Sequence, residues 1–134
     1  MVGLSETIAP AAQIPRRAMD LLGQADTLLT EATCATSGAP AERFRLAYLA
    51  ALRGASALLA ARPRPARPRT RSAWGQLTAA EPALADWAAY FADYSRLRTL
   101  VEAGVTSRVD DAEADRVLVE AERFLNLVED RLGR

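Results

Sequence analysis

The residues best equipped for chemistry in this chain are carboxylates and arginines, and both are clustered. Toward the C-terminal end stand Asp110, Asp111, Glu113, Asp115, Glu120, Glu122, Glu129 and Asp130. Acids in that density suit either a di-metal carboxylate site or a solvated helix face. A di-metal site in a helical bundle needs acids projecting inward together with Glu-x-x-His motifs, and the chain contains no histidine. The spacing fits the solvated face. Asp110, Asp111 and Glu113 fall where a helix dipole favours negative charge. Glu113 with Arg116, and Glu120 with Arg123, are three apart, as surface pairs are. No metal and no cofactor is expected.

The arginines concentrate between Arg62 and Arg71, in the run Arg-Pro-Arg-Pro-Ala-Arg-Pro-Arg-Thr-Arg. Arg62, Arg64, Arg67, Arg69 and Arg71 form the one strongly single-signed stretch. They are candidate phosphate contacts, and five such contacts to a single strand would give a salt slope of roughly −3.5. No aromatic residue interleaves them, so base recognition by stacking finds no support there. All 17 basic residues are Arg. That bias points to GC-rich coding and lowers the weight of any one arginine. Trp74, Trp87, Tyr90, Phe91 and Tyr94 resemble a stacking platform only in composition. At helical spacing beside leucines they are expected in the core, with Tyr90 keeping its hydroxyl in water.

Several function classes are closed by composition. Without histidine, and with Cys34 as the sole cysteine, there is no Cys/His zinc site, no Ser-His-Asp triad and no Cys-His dyad. Cys34 is expected as a packing residue, since no basic neighbour would lower its pKa. Acidic and basic residues balance at 17 each, so no global charge draws the chain to nucleic acid or an anionic membrane. No apolar run reaches the roughly 18 residues of a membrane span. The start shows no basic region followed by an apolar run, and one cysteine fits a reducing interior, so a cytoplasmic location is expected.

The elements that must position these residues are helices. The length of 134 residues, half of them apolar, fits one domain. Residues 1–13 lack periodicity and are expected as a flexible tail, with the domain spanning 14–134. Ala18, Leu21, Leu22, Ala25, Leu28, Leu29 and Ala32 form one stripe, beginning near Pro15 and stopping at Gly38. A second helix runs from Pro40 to about Arg62. Its main face carries Phe44, Ala47, Tyr48, Ala51, Leu52, Ala55, Leu58 and Leu59, and its opposite face (Arg43, Leu46, Ala50, Arg53, Gly54, Ala57) is hardly polar. Such a helix wants neighbours on more than one side, and small residues at Ala50 and Gly54 admit a close approach.

Three prolines then forbid regular structure across 62–71. Ser72 caps a short turn holding Trp74 and Leu77. A third long helix is expected to begin between Thr78 and Pro82, with Thr78 and Glu81 as its capping box, and to end at Gly104. Its stripe is Leu84, Trp87, Ala88, Phe91, Tyr94 and Arg98. The fourth opens on an Asp110/Glu113 box with Val109 as staple and closes at Gly133. No run alternates at strand period. The expected fold is all-α: an antiparallel four-helix bundle with an extra short helix after the Pro/Arg loop.

The stretches Glu42 to Arg53 (Glu-Arg-Phe-Arg-Leu-Ala-Tyr-Leu-Ala-Ala-Leu-Arg), Pro82 to Phe91, and Glu113 to Leu125 resemble a small bacterial branch of the HEPN family, the higher eukaryotes and prokaryotes nucleotide-binding domains. The likeness runs from about Arg17 to Leu132. It implies a helical bundle that commonly dimerises, in a family tied to RNA. Catalytic members resemble one another in an Arg-x4–6-His motif on a late helix, used for metal-independent RNA cleavage. Other members accompany nucleotidyltransferases, commonly as toxin and antitoxin. Here the best-placed arginine is Arg123, and Val128, Glu129 and Asp130 occupy the positions where histidine would fall. No catalytic residue is carried over.

The leading expectation is therefore a non-catalytic HEPN-like module that associates with a second copy or another helical protein. Leu46, Ala50 and Gly54 on the second helix, with Val119 and Leu127 on the fourth, are the candidate interface. The alternative is RNA or single-stranded nucleic-acid binding through the Arg loop. A second alternative is a degenerate ribonuclease in which Glu129 or Asp130 stands in for histidine, poorly suited to proton transfer at neutral pH unless buried.

Overall fold

The computed structural model describes residues 13–35, 39–63 and 70–133. Its helices are α1 (Arg16–Cys34), α2 (Pro40–Ala60), α3 (Ala73–Ala80), a 3-10 turn (Pro82–Leu84), α4 (Ala85–Ala92), α5 (Ser95–Glu102) and α6 (Asp111–Leu132). There is no strand among the described residues. The expected stop at Gly38 and the expected tail, apart from Gln13, lie outside them.

Contacts between helices give their directions. The start of α2 meets the start of α6 through Arg43 and Asp111. Gly54 lies against Leu125 midway, and Arg62 and Arg131 converge on Glu81 at the far end. So α2 and α6 run parallel. Helix α3 leads out to Glu81 and α4–α5 return from there to Tyr94, which bonds Glu113 at the other end, so α3 lies folded back beside α4, with Trp74 stacked on Phe91. Consecutive rods alternate in direction, as the short connections of a bundle require. The parallel pair α2/α6 closes at its centre, where Ala50, Ala51 and Gly54 are all buried.

That close approach explains why α2 is apolar nearly all round. Phe44, Ala47, Tyr48, Ala51, Ala55 and Leu58 enter the main core. On the other side Ala50 joins Ala25 of α1 and Leu125 of α6, with Leu28 and Leu29 packed against them. A Cβ on Gly54 would stand 2.4 Å from Leu125 Cδ2. The missing side chain is what lets Leu125 sit over the helix.

The third rod differs from the single long helix read from its stripe. Helix α3 continues through Thr78 to Ala80. Thr78 caps nothing; its hydroxyl donates to the Trp74 carbonyl at 3.0 Å, one turn back. Pro82 opens the 3-10 turn, a first-turn place where its missing N–H costs nothing. A second break falls at Asp93–Tyr94. There the Tyr94 N–H bonds to Phe91 O, three residues back, and Ser95 Oγ donates to Ala92 O at 2.7 Å. The chain tightens by part of a turn there before α5 begins at Ser95.

At α6 the expected cap forms by half. Asp110 Oδ1 accepts from the Glu113 N–H at 2.8 Å, while the Glu113 carboxylate turns to Tyr94 and Arg116. Val109 is buried, and Gly133 ends the helix at φ 77°, the left-handed conformation that glycine adopts without strain. Aromatic rings fill the centre: Trp74 stacks on Phe91 with centroids 5.2 Å apart, and Phe124 meets both. Trp74 Nε1 donates to Tyr48 Oη at 2.9 Å, satisfying the one polar atom that the indole brings inside.

Candidate functional site

The late helix carries the chemistry that the resemblance points to, so the site is built there first. The period of α6 turns Ala114, Val117, Ala121, Phe124, Leu125 and Val128 inward. That leaves Arg116 and Arg123 on the outside, with side chains 57% and 68% exposed. Each is held by the acid three residues earlier: Arg116 by Glu113 at 3.4 Å and Arg123 by Glu120 at 3.2 Å. Val128 is fully buried, Glu129 half-buried and Asp130 exposed. Of the three positions at which the spacing would allow a histidine, Val128 thus points into the core.

Beside this edge lie two tyrosines from the third rod. The Tyr94 hydroxyl donates to Glu113 Oε2. Burial first, and that bond second, push its pKa well above the ordinary value. It is a fixed donor at neutral pH, and a group held protonated there abstracts no proton. Tyr90 corrects an expectation. Its hydroxyl is not in water but buried, with no hydrogen-bond partner of ordinary geometry among the described residues. Desolvation raises its pKa as well. Chemically the edge offers paired guanidiniums, paired carboxylates and protonated phenols.

Among the Arg-loop candidates, Arg64, Arg67 and Arg69 lie outside the described residues. Arg62 is committed internally: its Nε bonds Glu81 Oε2 at 2.5 Å. Arg131 bonds the other oxygen at 2.5 Å. The Arg62 bond chiefly holds the Glu81 carboxyl below its ordinary pKa of 4.5. Arg71 is exposed.

The candidate interface divides. Leu46, Ala50 and Gly54 are buried within the chain's own fold, because α1 and α6 cover the second face of α2. They are not surface, and the apolar excess read from them is consumed by the bundle. Leu127 is half-buried and packs on the core. Val119 is 49% exposed. Met19 and Val105 are exposed as well, at 39% and 40%. Cys34, expected to pack, is exposed.

One functional-looking residue escaped the sequence. Arg43 is 4% exposed, although it was assigned to the less apolar face of its helix. Its guanidinium donates to Asp111 Oδ1 from two nitrogens at 3.1 Å and to Asp115 Oδ1 at 2.9 Å. It spans a gap of about seventy residues, with no local spacing to betray the pair. Asp111 and Asp115, read as a solvated face, are exposed but serve as its counter-ions.

No group of three or more metal-ligating side chains is placed together among the described residues, and no described helix is long and apolar enough to cross a membrane. Open clefts among the described residues include two of note. One, of about 640 Å³, lies by Glu42, Arg45, Val101 and Glu102. The other, of about 720 Å³, lies along α1 beside Arg53.

This arrangement, an all-α bundle whose late helix carries an outward arginine, is of the HEPN kind. The sequence model of the SAV_6107-like HEPN family matches residues 34–129, and the chain belongs to that family. Neither the curated proteins nor the solved structures provide a significant match.

Proposed function

We propose that the chain is a non-catalytic HEPN module that works in the cytoplasm by association, with a second copy of itself or with another helical protein. A nucleotidyltransferase in an RNA-linked or toxin–antitoxin-like system is the kind of partner that the family resemblance suggests. The observation that carries this reading is the state of the late helix. Arg123 is tied to Glu120, Val128 is buried, and no histidine exists in the chain to complete an Arg–His pair. What such a scaffold retains is surface. Val119 is its most exposed large apolar side chain among the described residues, on the same helix, where an association surface would give it a use.

Sedimentation velocity of the purified chain over micromolar concentrations, paired with capture from the native host, tests the proposal. Self-association or a stoichiometric protein partner, weakened by Val119→Asp, is the expected result. A monomer that captures no protein, or captures RNA alone, overturns it.

A further inference from the structure

The cleft along α1 is lined by Arg17, Asp20, Gly23, Gln24 and Arg53, with Met19 and Leu28 supplying apolar wall. Among the arginines of the described residues that are not exposed, Arg53 stands apart. Arg43, Arg45, Arg62, Arg98, Arg116, Arg123 and Arg131 all hold acids. Arg17 and Arg53 hold none among the described residues. Arg53 is half-buried and Arg17 exposed. A guanidinium partly withdrawn from water, in a fold that pairs its other enclosed arginines, is a donor array without an acceptor.

The surroundings favour an anion entering from solvent. Gly23 adds no side chain to the lining, and the space where its Cβ would stand is open. Gln24 adds an amide at the cleft edge. Asp20 is the one carboxylate in the lining, so the two arginines leave the cleft net positive. The guanidinium fork matches tetrahedral and planar oxyanions, and a phosphate gives more charge and more acceptor oxygens than a single carboxylate.

We propose that this cleft is a phosphate-binding site, taking the phosphate group of a small organic phosphate whose apolar body rests on Met19 and Leu28. Arg53 is its principal ligand and Arg17 the second. Asp20 opposes the anion electrostatically and limits its affinity. The site is separate from the association surface proposed on α6, so the failure of either leaves the other standing.

The test is an amide and arginine Nε–H NMR titration of the full chain with inorganic phosphate at constant ionic strength. Acetate serves as the carboxylate control. Saturable shifts at Arg53, Gly23 and Gln24, absent with acetate, are expected. Arg53→Gln should weaken phosphate binding about tenfold or more, the loss typical of a charge-assisted bond. Asp20→Asn should tighten it a few-fold, and Arg96→Gln, on exposed α5, should leave it unchanged. Circular dichroism checks that each variant is folded, and Arg17→Gln, at an exposed position, gives a second reading if Arg53→Gln is not. Shifts that never saturate, that spread evenly over the surface, or that survive both arginine substitutions overturn the proposal. Equal response to acetate overturns the assignment to phosphate.

Discussion

The two ends of α6 are fastened to the bundle by opposite arrangements of charge. At its start the enclosed partner is a cation, Arg43, whose side chain is 5% exposed, while Asp111 and Asp115 are 55% and 68% exposed. At its end the enclosed partner is an acid, Glu81, at 12%, while Arg62 and Arg131 are 30% and 33% exposed. Each end places one desolvated ion between two better-hydrated ones of opposite sign. The difference teaches which member matters. Losing the enclosed ion leaves groups that water can serve, whereas losing its hydrated partners strands a charge inside.

That asymmetry makes the first and largest prediction. Asp111→Asn combined with Asp115→Asn should destabilise by about 3–5 kcal/mol, the cost of an uncompensated buried charge. Arg43→Met should cost much less, because an apolar side chain of similar length fills the space and both aspartates can hydrate. Urea unfolding of the two variants decides it. Equal losses would break the comparison. The seam between α2 and α6 comes next: Gly54→Leu should cost about 1–3 kcal/mol by overpacking against Leu125, with an unchanged helical spectrum.

The Glu81 end should respond to pH. The folded-state pKa of Glu81 lies below its ordinary 4.5, chiefly through the bond from Arg62. Its contribution is therefore complete above pH 4.5 and is lost as pH falls through the depressed folded value. Glu81→Gln should cost about 1–2 kcal/mol at neutral pH, discounted for the partly exposed arginines. It should also flatten the acid limb of the stability curve. Parallel curves for the two proteins would mean that Glu81 contributes nothing through its charge. The smallest effect on folding belongs to Val119→Asp, within about 0.5 kcal/mol for an exposed site, so any loss of association it causes is not a loss of fold.

How much of this was legible follows from which forces leave a local trace. The stripes of α1, α2 and α6 repeat every three to four residues, so their buried faces could be read from spacing alone, as could Asp110, Val109 and Gly133 at the ends of α6. The break at Asp93–Tyr94 left no trace because it uses no glycine or proline, only a shortened turn and the Ser95 hydroxyl. Thr78 and Glu81 have the spacing of a capping box, but Glu81 is claimed by Arg62, beyond the end of α2, and Arg131 of α6. Arg43 was invisible for the same reason, and in a chain whose only basic residue is arginine its type carried little signal. Leu46, Ala50 and Gly54 were correctly read as wanting neighbours. The neighbours are α1 and α6 of the same chain, which a helix-by-helix reading cannot distinguish from a partner.

The central claim is that this HEPN scaffold works without nuclease chemistry. Incubating the purified full chain with mixed-sequence RNA in the presence of chelator, and resolving the products by length, tests it most directly. The RNA should remain intact, with no difference between the wild type and Arg123→Ala. Metal-free cleavage by the wild type that Arg123→Ala abolishes would contradict the account.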